Sequence, residues 1–252
     1  MAPPLRLAES GSVDSQAPLP LGCGTIQKNL ETRENGEKPH VATDLIEVDQ
    51  DSPSPAVLAR AGAAIRSGAV VAIPTDALYT LVADPFNLHA VGRVFKAKGR
   101  ESIRSLPLLV AGTLMAEDLA GELNKRFYIL ARKFWPGPLT MIVPASARVP
   151  LKVTGNTGRL AMRQSRSAIA SGLVEWLGQP LISTSANLSG MPTCRTGIDV
   201  FGTMDGRIDL VLDGGVCGGV GSTTIDITEP YWRVIKEGVI AEKEIGESLK
   251  DL

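Results

Sequence analysis

From Ser52 onward, short apolar runs alternate with amphipathic stretches, and each pattern predicts an element. Ala56, Leu58, Ala59, Ala63, Ala64 and Ile65 recur at helical spacing. They follow Ser52-Pro53 and Ser54-Pro55, either of which can open a helix with proline in its first turn, and Gly68 closes it. Residues 69–73 are wholly apolar and stopped by Pro74, which predicts a short strand buried on both faces. The same patterns predict helices over 88–98, 116–123, 126–134 and 168–177. Strands are predicted over 106–110, 139–143, 158–162, 181–183, 208–212, 223–227 and 231–235, with 239–240 as a short addition. Helices and strands interleave without a regular βαβ repeat. That predicts an α/β fold with a mixed sheet, as one domain over residues 51–252.

Residues 1–50 are rich in Pro, Ser, Glu and Gly and lack apolar periodicity. They are expected to form a disordered extension, with 41–48 aliphatic enough to add an edge strand. No run approaches the roughly 18 apolar residues needed to span a bilayer. No continuous apolar stretch marks a signal peptide near the start. The three cysteines, Cys23, Cys194 and Cys217, have neither the number of a disulfide framework nor metal-ligand spacing. A cytoplasmic chain with reduced thiols and no membrane contact is expected. With only His40 and His89, a histidine-based zinc site or Ser-His-Asp triad has little to build on, and no metal site is expected on the protein.

The formal net charge of −1 hides a division. Residues 1–50 hold four bases and eight acids, whereas 51–252 hold 22 bases and 19 acids. Within the latter, Arg93, Lys96, Lys98, Arg100 and Arg104 stand together with one acid, Glu101. Arg148, Lys152, Arg159, Arg163 and Arg166 stand together with none. Two such segments are either solvated surfaces or the lining of an anion site.

Five segments can carry chemistry. Thr75-Asp76 follows the strand at 69–73, where open α/β sheets place ligands; Asp76 can equally close a local turn. Lys96, Lys98 and Arg100 end a predicted helix. They either complement its dipole or combine a point charge and a planar fork against a polyphosphate. No P-loop pattern is present, so a nucleotide would be held differently. Arg159 and Arg163, four apart on a strand, share one face with no acid nearby in sequence and resemble an anion clamp. Ser183-Thr-Ser-Ala-Asn-Leu-Ser-Gly190 can present several donors to a phosphate or ribose, or cap the next element. Asp213 to Thr223 contains five glycines, which suit a ligand-hugging loop or a plain surface loop.

In order, P-T-D-x-L-Y, F-x-x-K-G-R…P-L, F-W-P-G-P-L-T at 134–140, S-T-S-A-N-x-S-G and D-G-G…G-S-T resemble the YrdC-like family of threonylcarbamoyl-AMP synthases, across about residues 56–240. The resemblance implies a single twisted α/β sheet with flanking helices and a deep basic cavity. It implies a nucleotidyltransferase that converts L-threonine, bicarbonate or CO2 and ATP into L-threonylcarbamoyladenylate and diphosphate. The product would pass to the machinery that makes threonylcarbamoyladenosine in tRNA, with a weak tRNA contact as a further expectation. Lys98, Arg100, Ser185 and Asn187 match the family's catalytic K-x-R and S-x-N signature. The ATP set adds Lys96, Arg159, Thr193 and Lys236, while Thr75, Arg163, Ser183 and Ser222 match positions near L-threonine. Mg2+ would ride on the ATP phosphates. Thr80, Glu101 and Lys236 depart from the family's usual residues, and the added C-terminal domain of longer members is not expected. Against the synthase stand an RNA-binding module for double-stranded RNA or tRNA, an inactive paralogue, and the carbamoyl-adenylate domain of hydrogenase maturation.

Overall fold

The computed structural model describes residues 42–101, 104–228, 230–250 and 252. The expected extension, apart from its last residues, lies outside them, as do Cys23 and His40. The elements are β1 (Asp44–Glu47), α1 (Pro55–Arg66), β2 (Val71–Ile73), β3 (Thr80–Val82), α2 (Leu88–Lys98), β4 (Leu108–Leu109), α3 (Thr113–Leu119), α4 (Lys125–Phe134), β5 (Leu139–Pro144), α5 (Leu151–Thr154), β6 (Arg159–Arg163), α6 (Ala168–Leu177), β7 (Leu181–Ile182), β8 (Thr184–Ser185), α7 (Gly197–Met204), β9 (Leu210–Asp213), β10 (Thr223–Asp226), β11 (Arg233–Lys236) and α8 (Glu242–Leu249).

Where one mixed sheet is expected, the described residues form two. One has the order β1-β9-β2-β3-β8, the other β11-β10-β5-β6-β4-β7. Both mix parallel and antiparallel pairs: β2 runs parallel to β9 and antiparallel to β3, and β5 runs parallel to β10 and antiparallel to β6. The edge strand expected near 41–48 forms as β1, ahead of residue 51, and pairs in parallel with β9.

The apolar run at 69–73 is explained by its two faces. Val70 and Ala72 enter one core with Tyr79, Leu81, Val94, Phe127, Met141 and Met162. Val71 and Ile73 enter a second with Ile65, Leu173 and Leu212, which lies against α1 and α6. Each fully buried aliphatic side chain contributes about 1.5–3 kcal/mol relative to exposure.

Two local features place the site. Asn87 caps α2, accepting from the amides of His89 and Ala90 at 3.1 Å each. The helix ends at Gly99, whose φ of 57° is the left-handed conformation a glycine adopts without penalty, and Arg100 is turned out of the helix. The second feature is at Ser183, where the chain leaves β7 in one sheet and enters β8 in the other. The S-T-S-A-N segment therefore lies on the seam between the sheets.

Candidate functional site

Main-chain and side-chain hydrogen bonds tie the five segments together. The Ala186 amide donates to the Tyr79 carbonyl at 2.9 Å, and the Gly219 amide to the Ala77 carbonyl at 3.2 Å. The Tyr79 hydroxyl donates to the Gly215 carbonyl at 2.8 Å and accepts from the Gly214 amide at 3.1 Å, with Asp213 Oδ1 3.2 Å away. Burial and the Asp213 carboxylate push the Tyr79 phenol well above its ordinary value, so it remains a protonated bolt between two motifs. The Ser222 and Thr140 hydroxyls meet at 2.8 Å, joining the glycine-rich segment to residues 134–140.

Lys98 is the first hub. At 3% exposure its ammonium donates to the carbonyls of Ser185 and Asn187, the latter at 3.0 Å, and to Asn187 Oδ1 at 3.1 Å. Asn187 Oδ1 also accepts the Ser185 hydroxyl at 2.6 Å, while its Nδ2 donates to the carbonyls of Leu188 and Met191. K-x-R and S-x-N are thus one hydrogen-bonded unit. Burial, then the neighbouring Arg100 guanidinium, pull the Lys98 ammonium down to about 8. Arg100 is half-buried, and its Nη2 donates to the Ser105 carbonyl at 3.3 Å. Burial and Arg104 lower Arg100 as well. Among the described residues none of these three cations has a carboxylate partner. Lys96 is exposed. Two residues apart on a helix point to opposite sides, so α2 carries Lys96 away from the Lys98 hub.

Arg163 is the second hub. Its Nε donates to the Gly137 carbonyl at 2.9 Å, and its Nη2 donates to Asp76 Oδ1, which also accepts the Ser165 hydroxyl. The Arg163 and Asp76 side chains are 8% and 16% exposed. Burial lowers the guanidinium and the Asp76 carboxylate opposes that shift. Gly137 is required here, because a Cβ would meet the Phe134 carbonyl oxygen at 2.4 Å. Of the two readings at Thr75-Asp76, the local turn is present, but Asp76 does not make it. Thr75 makes the turn, donating to the Leu78 carbonyl at 2.7 Å and accepting from the amides of Ala77 and Leu78 at 3.2 Å each. Asp76 is left to reach across to β6. With its proton and both lone pairs engaged, Thr75 would meet a ligand through its backbone.

Arg159 corrects the clamp reading. It stands at the other end of β6 from Arg163, opposite Pro144. There it donates to Asp226 Oδ2 at 2.9 Å, and Asp226, 3% exposed, also faces Arg233 at 3.4 Å. The acids absent from the local sequence, Asp76 and Asp226, are supplied by other elements.

The remaining expected residues are placed as follows. Ser183 and Thr193 are half-buried, with no side-chain hydrogen bond among the described residues. Ser222 is half-buried beside Thr140. Lys236 is exposed on β11, its Nζ 3.3 Å from the point a Gly221 Cβ would occupy, so it stands over the glycine-rich segment. Asp76, singled out only as part of the Thr75-Asp76 pair, belongs to the same assembly, as do Tyr79, Ser165 and Arg195, which are not among the expected site residues. Arg195 Nε lies 3.1 Å from the Cβ position of Gly219. Only Asp76 and Tyr79 had a local signal, their place in the P-T-D-x-L-Y motif.

The model of the Sua5/YciO/YrdC family, described as "Telomere recombination", matches residues 63–238. The chain belongs to this family. Its similarity to the threonylcarbamoyl-AMP synthase of Pyrococcus abyssi is 38% identity over 188 residues, 73% of this chain and 55% of the relative. Among solved structures, P. abyssi Sua5 complexed with L-threonine is 35% identical with a TM-score of 0.79, covering 82% of this chain and 61% of that one. Escherichia coli YciO is 25% identical with a TM-score of 0.74, covering 81% of this chain and 99% of that one. The chain therefore spans little more than half the length of its Pyrococcus relative. The family's α/β fold is thus shown for this chain. Among the described residues no helix is long and apolar enough to cross a membrane.

Proposed function

We propose that the chain is an ATP-dependent L-threonylcarbamoyladenylate synthase. It joins L-threonine, bicarbonate or CO2, and ATP, releases diphosphate, and supplies the tRNA threonylcarbamoyladenosine machinery. The observation that carries the reading is the Lys98 hub: a buried ammonium held by neutral oxygens beside Arg100, itself beside Arg104, with no carboxylate partner among the described residues. Arg100 is repelled by Lys98 on one side and Arg104 on the other; a polyanion stabilises such a cluster, and a triphosphate has the charge for it. The names of the family relatives support the same assignment.

In this reading Lys98 and Arg100 hold the phosphates while Ser185 and Asn187 fix Lys98. Thr193 and Lys236 flank the nucleotide. Arg163, Ser183, Ser222 and the Thr75 backbone receive L-threonine. Attack of a carbamate on the α-phosphate needs no covalent enzyme intermediate. It needs alignment and cations opposite the developing charge, which the arrangement can provide. Mg2+ would be carried by the phosphate oxygens. Among the described residues no group of three or more His, Cys, Asp or Glu side chains is placed to hold a metal ion.

The deciding experiment incubates the purified chain with ATP, L-threonine and bicarbonate and follows diphosphate release, with titration calorimetry of ATP and L-threonine singly and together. Diphosphate released only when all three are present is expected. ATP and threonine binding without turnover would mark an inactive paralogue. Salt-sensitive tRNA binding with no ATP binding would replace the synthase by the RNA-binding reading.

A further inference from the structure

The Arg163–Asp76 pair is bonded in a way that a simple counter-ion pair is not. A carboxylate that only neutralises a guanidinium typically meets it as a fork, one oxygen to each of two N–H donors. Here Asp76 Oδ1 takes both Arg163 Nη2 and the Ser165 hydroxyl, and Arg163 spends Nε on the Gly137 carbonyl. Arg163 Nη1 and Asp76 Oδ2 are left with no hydrogen bond among the described residues. One unused edge is cationic and the other anionic, and they belong to directly bonded partners. An α-amino acid has the inverse pairing, a carboxylate and an ammonium separated by one carbon.

The backbone under Asp76 is built to hold this direction. The Thr75 hydroxyl is saturated within the turn. The Ser167 hydroxyl, which caps α6, donates to the Pro74 carbonyl at 3.1 Å. Asp76 is therefore fixed on its N-terminal side by the turn and across the sheet by Arg163 and Ser165. We propose that Asp76 is the specificity-determining residue for the amino end of the amino-acid substrate: Oδ2 receives the α-ammonium while Arg163 Nη1 receives the α-carboxylate. This rests on the threonine-using reading above and adds to it the group that recognises the amine.

The test is calorimetry on the full chain with L-threonine and with 3-hydroxybutyrate, which is threonine without its amino group. Wild-type protein binds L-threonine roughly ten- to a hundred-fold more tightly than the deaminated analogue, as expected for a charged hydrogen bond. Asp76→Asn keeps an acceptor for Arg163 and Ser165 but loses the anion. It binds both compounds with equal, weak affinity and ATP as wild type does. If Asp76 only positions Arg163, the variant weakens both compounds together and keeps the wild-type ratio, and the proposal is overturned. A wild-type ratio near one overturns it with no variant at all. Should Asp76→Asn also lose ATP binding, Asp76→Glu decides: retained preference for L-threonine supports the proposal and lost preference overturns it. Wild-type protein that releases no diphosphate and binds no threonine removes the synthase reading itself. Normal turnover with an unchanged ratio in Asp76→Asn removes only the role of Asp76.

Discussion

Lys98 and Arg163 are both buried cations at the meeting of the two sheets, and the fold treats them differently. Arg163 is bonded to a carboxylate, Asp76, brought from 87 residues away. Lys98 is bonded to two carbonyls and an amide oxygen, and the neighbouring Arg100 guanidinium repels it. A buried charge without a counter-ion is costly, and burial accordingly pulls the Lys98 ammonium down to about 8. The difference separates two kinds of recognition. In the proposed reading the Lys98 cluster, which has no carboxylate partner among the described residues, is completed by a polyanion. The paired one has local charge balance and suits a ligand that carries both signs.

The largest effect that can break this contrast is at Lys98. Lys98→Ala is expected to lower diphosphate release by about 10²–10³-fold, as for removal of a preorganised charge partner of the reacting phosphates. Threonine affinity should be unchanged; near-normal turnover would dissolve the distinction between the hubs. Arg163→Ala tests the other side. It strands the Asp76 carboxylate at a site where the side chains are 8% and 16% exposed. A loss of roughly 3 kcal/mol in unfolding free energy is expected, together with loss of threonine binding and retention of ATP binding. A denaturant melt that shows no destabilisation would mean that the pair is not a buried unit.

A pH titration sharpens the comparison. In the proposed reading Lys98 holds phosphate, which needs its protonated form. Its lowered value means that the free protein loses that charge as pH rises through about 8. ATP affinity should then fall by about ten-fold for each further pH unit, with proton uptake on binding. Threonine affinity has no such dependence on Lys98, and parallel pH profiles for the two ligands would contradict the assignment. The smallest effect is expected at Arg159. Arg159→Gln should cost about 1 kcal/mol, because buried Asp226 keeps the weaker partner Arg233. Turnover should be unaffected; a loss of ATP affinity would return Arg159 to the site.

Much of the architecture was legible because burial on both faces leaves its mark on composition. The apolar run at 69–73 and the predicted strands at 139–143 and 158–162 appear as β2, β5 and β6 within a residue or two. What escaped was short or held by distant partners. β3 is three residues, hidden behind P-T-D-x-L-Y, and β8 is two. α7 carries two glycines in eight residues, and its buried apolar side chains, Val200 and Met204, span a single turn. Its Thr196–Asp199 capping box was a readable signal, since each side chain satisfies the other's backbone amide. The division into two sheets was not readable, because nothing local to Ser183 says that the strand on either side pairs with different neighbours.

The candidate site divides in the same way. By itself the sequence determined that five segments recur in a family's order, and that the bases fall in two acid-poor stretches. Those are properties of the chain as written. Only the tertiary structure decided which bases stay uncompensated. Arg159 met Asp226 and Arg163 met Asp76 across 67 and 87 residues, whereas Lys98 met carbonyl oxygens. Charge interactions depend on distance in space and on the water excluded between the groups, not on separation along the chain. A list of basic residues therefore names the candidates for an anion site, and the fold selects among them.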